Sequence, residues 1–81
     1  MSEIETTDIY EGAYLMLSGH HLCALEKDRR KRIRFRFSGE NVAGSLEEFQ
    51  SGRAVGNIAM YLFTLEKLKD RLFGVLRGGG K

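Results

Sequence analysis

From Arg32 to Phe37 basic and apolar residues alternate without a break, Arg32-Ile33-Arg34-Phe35-Arg36-Phe37, and no other stretch limits the fold of this chain so strongly. A period of two belongs to an extended strand, whose side chains point to opposite faces in turn. One face would carry Ile33, Phe35 and Phe37 and the other three guanidinium groups, whereas a helix would mix the two sets around its circumference. Such a strand needs neighbours for its hydrogen bonds and a cover for its apolar face. In a chain of 81 residues that means a small sheet backed by helices.

The preceding segment, His21 to Lys27, alternates more weakly, and the two segments form an antiparallel β-hairpin. The connection at Asp28 to Lys31 lacks glycine, which disfavours a primed two-residue turn and favours a longer loop built on a type I turn. An even-numbered loop places Leu22 and Ala24 beside the phenylalanines, and a three-residue loop places Cys23 and Leu25 there. The first is preferred, with the register open.

Helices flank the hairpin. Thr7 or Asp8 can accept from the free amides of a helix running from Asp8 to Ser18, with Ile9, Tyr10, Ala13, Tyr14, Met16 and Leu17 at spacings of three and four and Ser18-Gly19 as its stop. Tyr10 and Tyr14, four apart, are expected to share one aromatic stripe of the core. Ser45-Leu46-Glu47-Glu48 has the spacing of a capping box and begins a second helix, Ser45 to Gln50, that Ser51-Gly52 ends. Arg53-Ala54-Val55 offers a short third strand, and Asn57 caps a final helix reaching Arg77. That helix lines up Ile58, Tyr61, Leu62, Leu65, Leu68, Leu72, Val75 and Leu76 on one face, which packs on the phenylalanine side of the sheet while the first helix closes the remaining side. Met60 and Phe63 project elsewhere: the first or second helix is expected to cover that side, and the alternative is a spare face for a partner protein or a second copy. The expected architecture is α+β, one domain over residues 7–77, with residues 1–6 and 78–81 as flexible termini.

Composition narrows the class. Hydrophobic residues make up 42% and charged residues 30%, too apolar for a disordered chain. The single cysteine, Cys23, permits no internal disulfide. The first residues lack the pattern of a secretory signal, and the longest apolar runs fall far short of the ~20 residues that cross a bilayer. A cytoplasmic protein without a membrane span is expected.

The net charge of +2 conceals a strong polarity, because seven of the thirteen basic residues lie between Lys27 and Arg36. Arg29, Arg30, Lys31, Arg32, Arg34 and Arg36 form a candidate nucleic-acid surface that would meet phosphates without reading sequence. Two plainer roles compete: protecting a sheet edge, and pairing with Glu3, Glu5, Asp8 or Glu11. His20, His21 and Cys23 bring three metal-ligand types together, but neighbouring histidines on a strand face opposite ways and no fourth ligand follows, so neither a metal nor any cofactor is expected. His21 and Cys23, two apart, would share a face, yet no third catalytic member or oxyanion site accompanies them. The glycines form no phosphate-binding fingerprint. An enzyme is not expected.

Thr7-Asp8-Ile9-Tyr10 with Ala13-Tyr14-Leu15, then Gly19-His20, the Arg/Phe hairpin and Leu65-Glu66-Lys67-Leu68-Lys69 resemble a family of small prokaryotic domains of unknown function, over roughly Thr7 to Phe73. The resemblance implies a helix, hairpin, helix, helix order and no catalytic residues. Where such domains often have Val-Asn-Pro before the last helix, this chain has Val55-Gly56-Asn57-Ile58, which keeps the cap without proline. The expected role is a non-enzymatic binding module that contacts nucleic acid through the basic hairpin. The alternative is a protein-interaction or homodimerisation module in which the basic strand face is merely solvated.

Overall fold

The structure, a computed structural model, describes residues 2–30 and 32–78. Its elements are β1 (Ser2–Thr6), α1 (Ile9–Leu17), β2 (His21–Lys27), β3 (Ile33–Gly39), α2 (Val42–Gln50) and α3 (Ile58–Gly78). The fold is α+β: an antiparallel sheet in the order β1-β3-β2 carries the helices on one face. The alternating strand takes the centre.

Residues 2–6, expected to be flexible, instead supply β1. It pairs with β3 from Ser2 opposite Gly39 to Thr6 opposite Phe35, and turns Ile4 and the buried Thr6 toward the core. Arg53-Ala54-Val55, proposed as the third strand, belongs to none. A central strand has two edges to fill, and the N-terminal segment occupies the one that the hairpin leaves open. Met1 and residues 79–81 lie outside the described residues, while Gly78, expected in the flexible tail, closes α3.

The hairpin register combines the two alternatives. Leu22 faces Phe37 and Leu25 faces Phe35, with a β-bulge between Leu22 and Ala24. Strict alternation would send one of two leucines three positions apart into solvent; one extra residue in the strand brings both to the core face.

Asp8 caps α1, its carboxylate accepting from the Tyr10 amide at 2.8 Å and the Glu11 amide at 3.4 Å. Both short helices end alike. After α1 the His20 amide donates to the Leu15 carbonyl with Gly19 at φ +93°, and after α2 the Arg53 amide donates to the Glu48 carbonyl with Gly52 at φ +80°. These are Schellman closures, which need the left-handed backbone that glycine supplies without a Cβ penalty. The start of α2 departs from expectation. Asn41, left-handed at φ 58°, turns the chain directly out of β3, so the helix begins three residues before Ser45 and the capping box does not form. Ser45 lies one turn inside, its hydroxyl 2.8 Å from His20 Nε2, and Glu48 accepts from the Tyr14 hydroxyl at 3.1 Å.

The core joins Ala13 and Leu15 of α1, Phe35 and Phe37 of β3, Val42 of α2, and Leu65 and Leu68 of α3. At Gly12 an added Cβ would lie 3.1 Å from Leu68 and 3.5 Å from the Phe37 ring, so the missing side chain lets α1 settle between α3 and the sheet. α3 packs chiefly on α1 and reaches the sheet along β2. Asn57 caps it through a 3.0 Å bond from the Met60 amide, and the Tyr61 hydroxyl donates to the Tyr10 carbonyl at 3.1 Å. Burial pushes the Tyr61 phenol up. At 21 residues α3 is about 31 Å long, more than α1 and one edge strand can cover. Ile58, Leu62 and Leu76, expected in the core, are therefore exposed. Tyr10 is exposed as well, while Tyr14 is buried against Phe49 with ring centroids 5.5 Å apart, so the two tyrosines do not share one stripe.

Candidate functional site

The basic hairpin divides into a strand face and a tip. On the strand face, opposite the helices, Arg36 lies across from Glu5 of β1 and donates to its Oε2 at 3.1 Å from Nη2 and 3.4 Å from Nε, with Glu26 of β2 at 3.8 Å. That hydrogen bond, together with the charges of Glu5 and Glu26, pushes the guanidinium pKa up. Arg34 lies 3.9 Å from Glu5 and 3.8 Å from Asp28, and Arg32 lies 3.8 Å from Asp28. Except at Asp28, whose side chain is mostly covered, these groups are well exposed, and the pairs between them each stabilise the fold little. Their effect on recognition is larger, since three arginines that the sequence groups as free charge share their face with three carboxylates. Among Glu3, Glu5, Asp8 and Glu11, Glu5 makes the pairing. Asp8 caps α1, and Glu11 accepts from the Thr6 hydroxyl and the Gln50 amide.

At the tip, Asp28 organises the loop. Its Oδ1 accepts from the Arg30 amide at 2.8 Å and the Arg32 amide at 2.9 Å, and its own amide donates to the Arg32 carbonyl at 2.8 Å. The Arg32 amide holds its carboxyl below the usual range; slight burial opposes this, and the Arg30 amide and the Arg32 and Arg34 charges assist. Arg29 and Arg30 are exposed, and neither forms an ion pair among the described residues. Lys31 lies outside the described residues.

His20, His21 and Cys23 do not converge. His20 is bonded to Ser45, His21 stands exposed on the edge strand, and the Cys23 thiol lies 3.0 Å from the Ser38 hydroxyl. Among the described residues no three His, Cys, Asp or Glu side chains gather at metal-ligating distance.

The second candidate surface is on α3. Met60 is 51% exposed and Phe63 58%, so neither of the first two helices covers that side as expected, and the Lys67 ammonium lies 5.1 Å from the Phe63 ring centre. Three residues assigned to the core are exposed too, Ile58 at 76%, Leu62 at 53% and Leu76 at 42%, and so is Phe73 at 52%. Six of the eight exposed large hydrophobic residues of the described chain thus lie on one helix. The sequence signal for them was the breadth of the apolar arc, wider than one covering layer can bury.

No family model, no curated protein and no solved structure matches this chain. No helix among the described residues is long and apolar enough to cross a membrane.

Proposed function

We propose that this chain is a non-enzymatic protein-interaction module that self-associates through the uncovered side of α3. One observation carries the reading: the exposed apolar side chains concentrate on a single helix, Ile58, Met60, Leu62, Phe63, Phe73 and Leu76, instead of scattering as they do on an ordinary monomer surface. The hairpin arginines then serve solubility and edge protection, which fits their pairing with Glu5, Glu26 and Asp28. The exposed free thiol of Cys23 suits a reducing compartment such as the cytoplasm. Sedimentation equilibrium over a concentration series tests the reading. A reversible dimer in the micromolar range, unchanged by Arg34→Ala, is expected; a monomer at every concentration overturns it.

A second reading, contact with nucleic acid through its phosphates, keeps one observation in its favour. Arg29 and Arg30 stand exposed at the tip with no carboxylate committed to them among the described residues. In this form the contact surface narrows from six basic residues to the loop.

A further inference from the structure

On α3 the exposed Ile58, Leu62, Glu66, Phe73 and Leu76 and the half-buried Lys69 fall within an arc of about 80° at 100° per residue. They form one continuous stripe along the helix, beside the buried ridge of Leu65 and Leu68. Read in order the stripe runs apolar, apolar, acidic, basic, apolar, apolar. Read backward it is the same with the two charges exchanged. A helix face with that symmetry complements itself when a second copy lies antiparallel across it: Leu62 meets the second copy's Phe73, Ile58 approaches its Leu76, and Glu66 meets its Lys69, each contact occurring twice about the two-fold axis. A parallel arrangement would set Glu66 against Glu66 and Lys69 against Lys69, so charge selects the orientation.

We infer that the partner of α3 is the α3 of a second copy of this chain, packed antiparallel, with the Glu66–Lys69 pair fixing the register at the two-fold axis. This rests on the self-association reading and specifies its geometry. Within one chain Lys69 Nζ is already 3.7 Å from Glu66 Oε2, so dimerisation turns an exposed pair into a closed set of four alternating charges between two apolar clusters. The Met60 and Phe63 side does not offer the same: its continuation is Lys67, Asp70 and Gly74, and Lys67 already lies over the Phe63 ring. Two helices of about 31 Å meeting along one stripe bury on the order of 1,000 Å² in total, at the lower end of specific interfaces. That size suits a reversible dimer.

Charge exchange on the full-length chain provides the test, read by sedimentation, with circular dichroism confirming that each variant is folded. Glu66→Lys alone and Lys69→Glu alone place like charges opposite each other twice per dimer, and each is expected to weaken dimerisation by roughly tenfold or more. The double variant Glu66→Lys/Lys69→Glu restores opposite charges and should return to within about threefold of the parent, as should an equimolar mixture of the two single variants, through a heterodimer. A dimeric parent indifferent to the single exchanges overturns the register and leaves self-association standing. Single variants weakened without rescue by either combination overturn the antiparallel pairing. A parent that never dimerises removes both this inference and the reading beneath it.

Discussion

Asp28 is the acidic residue inside the basic run, and its position explains why the hairpin closes without a glycine. Its side chain accepts from the Arg30 and Arg32 amides, an Asx-type turn, while Arg32 and Arg34 supply compensating charge. Because the folded carboxyl lies below its ordinary value, the loop gains from ionised Asp28 at every pH above the unfolded value of about 3.9 and loses that gain as the pH falls through the folded one. The amide proton resonances of Arg30 and Arg32 should therefore stay fixed on acidification until below about pH 4 and then move together, with Asp28→Asn abolishing the movement. Movement already complete near neutrality would contradict this bonding. The sequence showed that the loop had to be long, but not which residue would fold back on it. Ser45 was misleading in the opposite sense. Its spacing to Glu48 satisfies a capping box, but a left-handed Asn41 had already begun the helix, and both side chains found partners on α1 or just beyond it.

Elements with an internal period were legible, and those defined by a distant partner were not. α1, β2, β3 and α3 follow from patterns that a window of a few residues contains. β1 does not: five residues with Ile4 and Thr6 facing inward give too weak an alternation to separate from a polar tail, and its hydrogen bonds come from β3, far along the chain. The β2 bulge is also set from outside, by the demand that Leu22 and Leu25 both reach the core. If β1 is integral to the sheet, Ile4→Asp, which brings a charge toward Phe37 and its neighbours, should lower unfolding stability by about 1–3 kcal/mol in a urea titration. An unchanged midpoint would return the segment to the status of a tail.

Across the whole molecule, the third dimension rearranges charge more than it rearranges apolar pattern. The sequence separates a basic block from an acidic remainder, yet the sheet folds Glu5, Glu26 and Asp28 onto the same face as Arg32, Arg34 and Arg36. This makes the nucleic-acid reading specific. In a titration of labelled single- and double-stranded nucleic acid at two salt concentrations, replacing Arg29 and Arg30 by alanine should weaken any salt-sensitive binding and reduce the salt slope by about one for each phosphate no longer neutralised. Replacing Arg34 and Arg36 should do much less, and the reverse ranking would show that the carboxylates yield to phosphate. Apolar pattern was the better guide on α3, where it located the helix and most of its buried ridge but could not say how much of the arc the small sheet and α1 would leave uncovered. The strand order carries a consequence of another kind. β3 acquires one neighbour from the adjacent hairpin and the other only when the first residues return past α1, so the two halves of the sheet close at different times. During synthesis β1 must wait, unpaired, until Gly39 has cleared the ribosome.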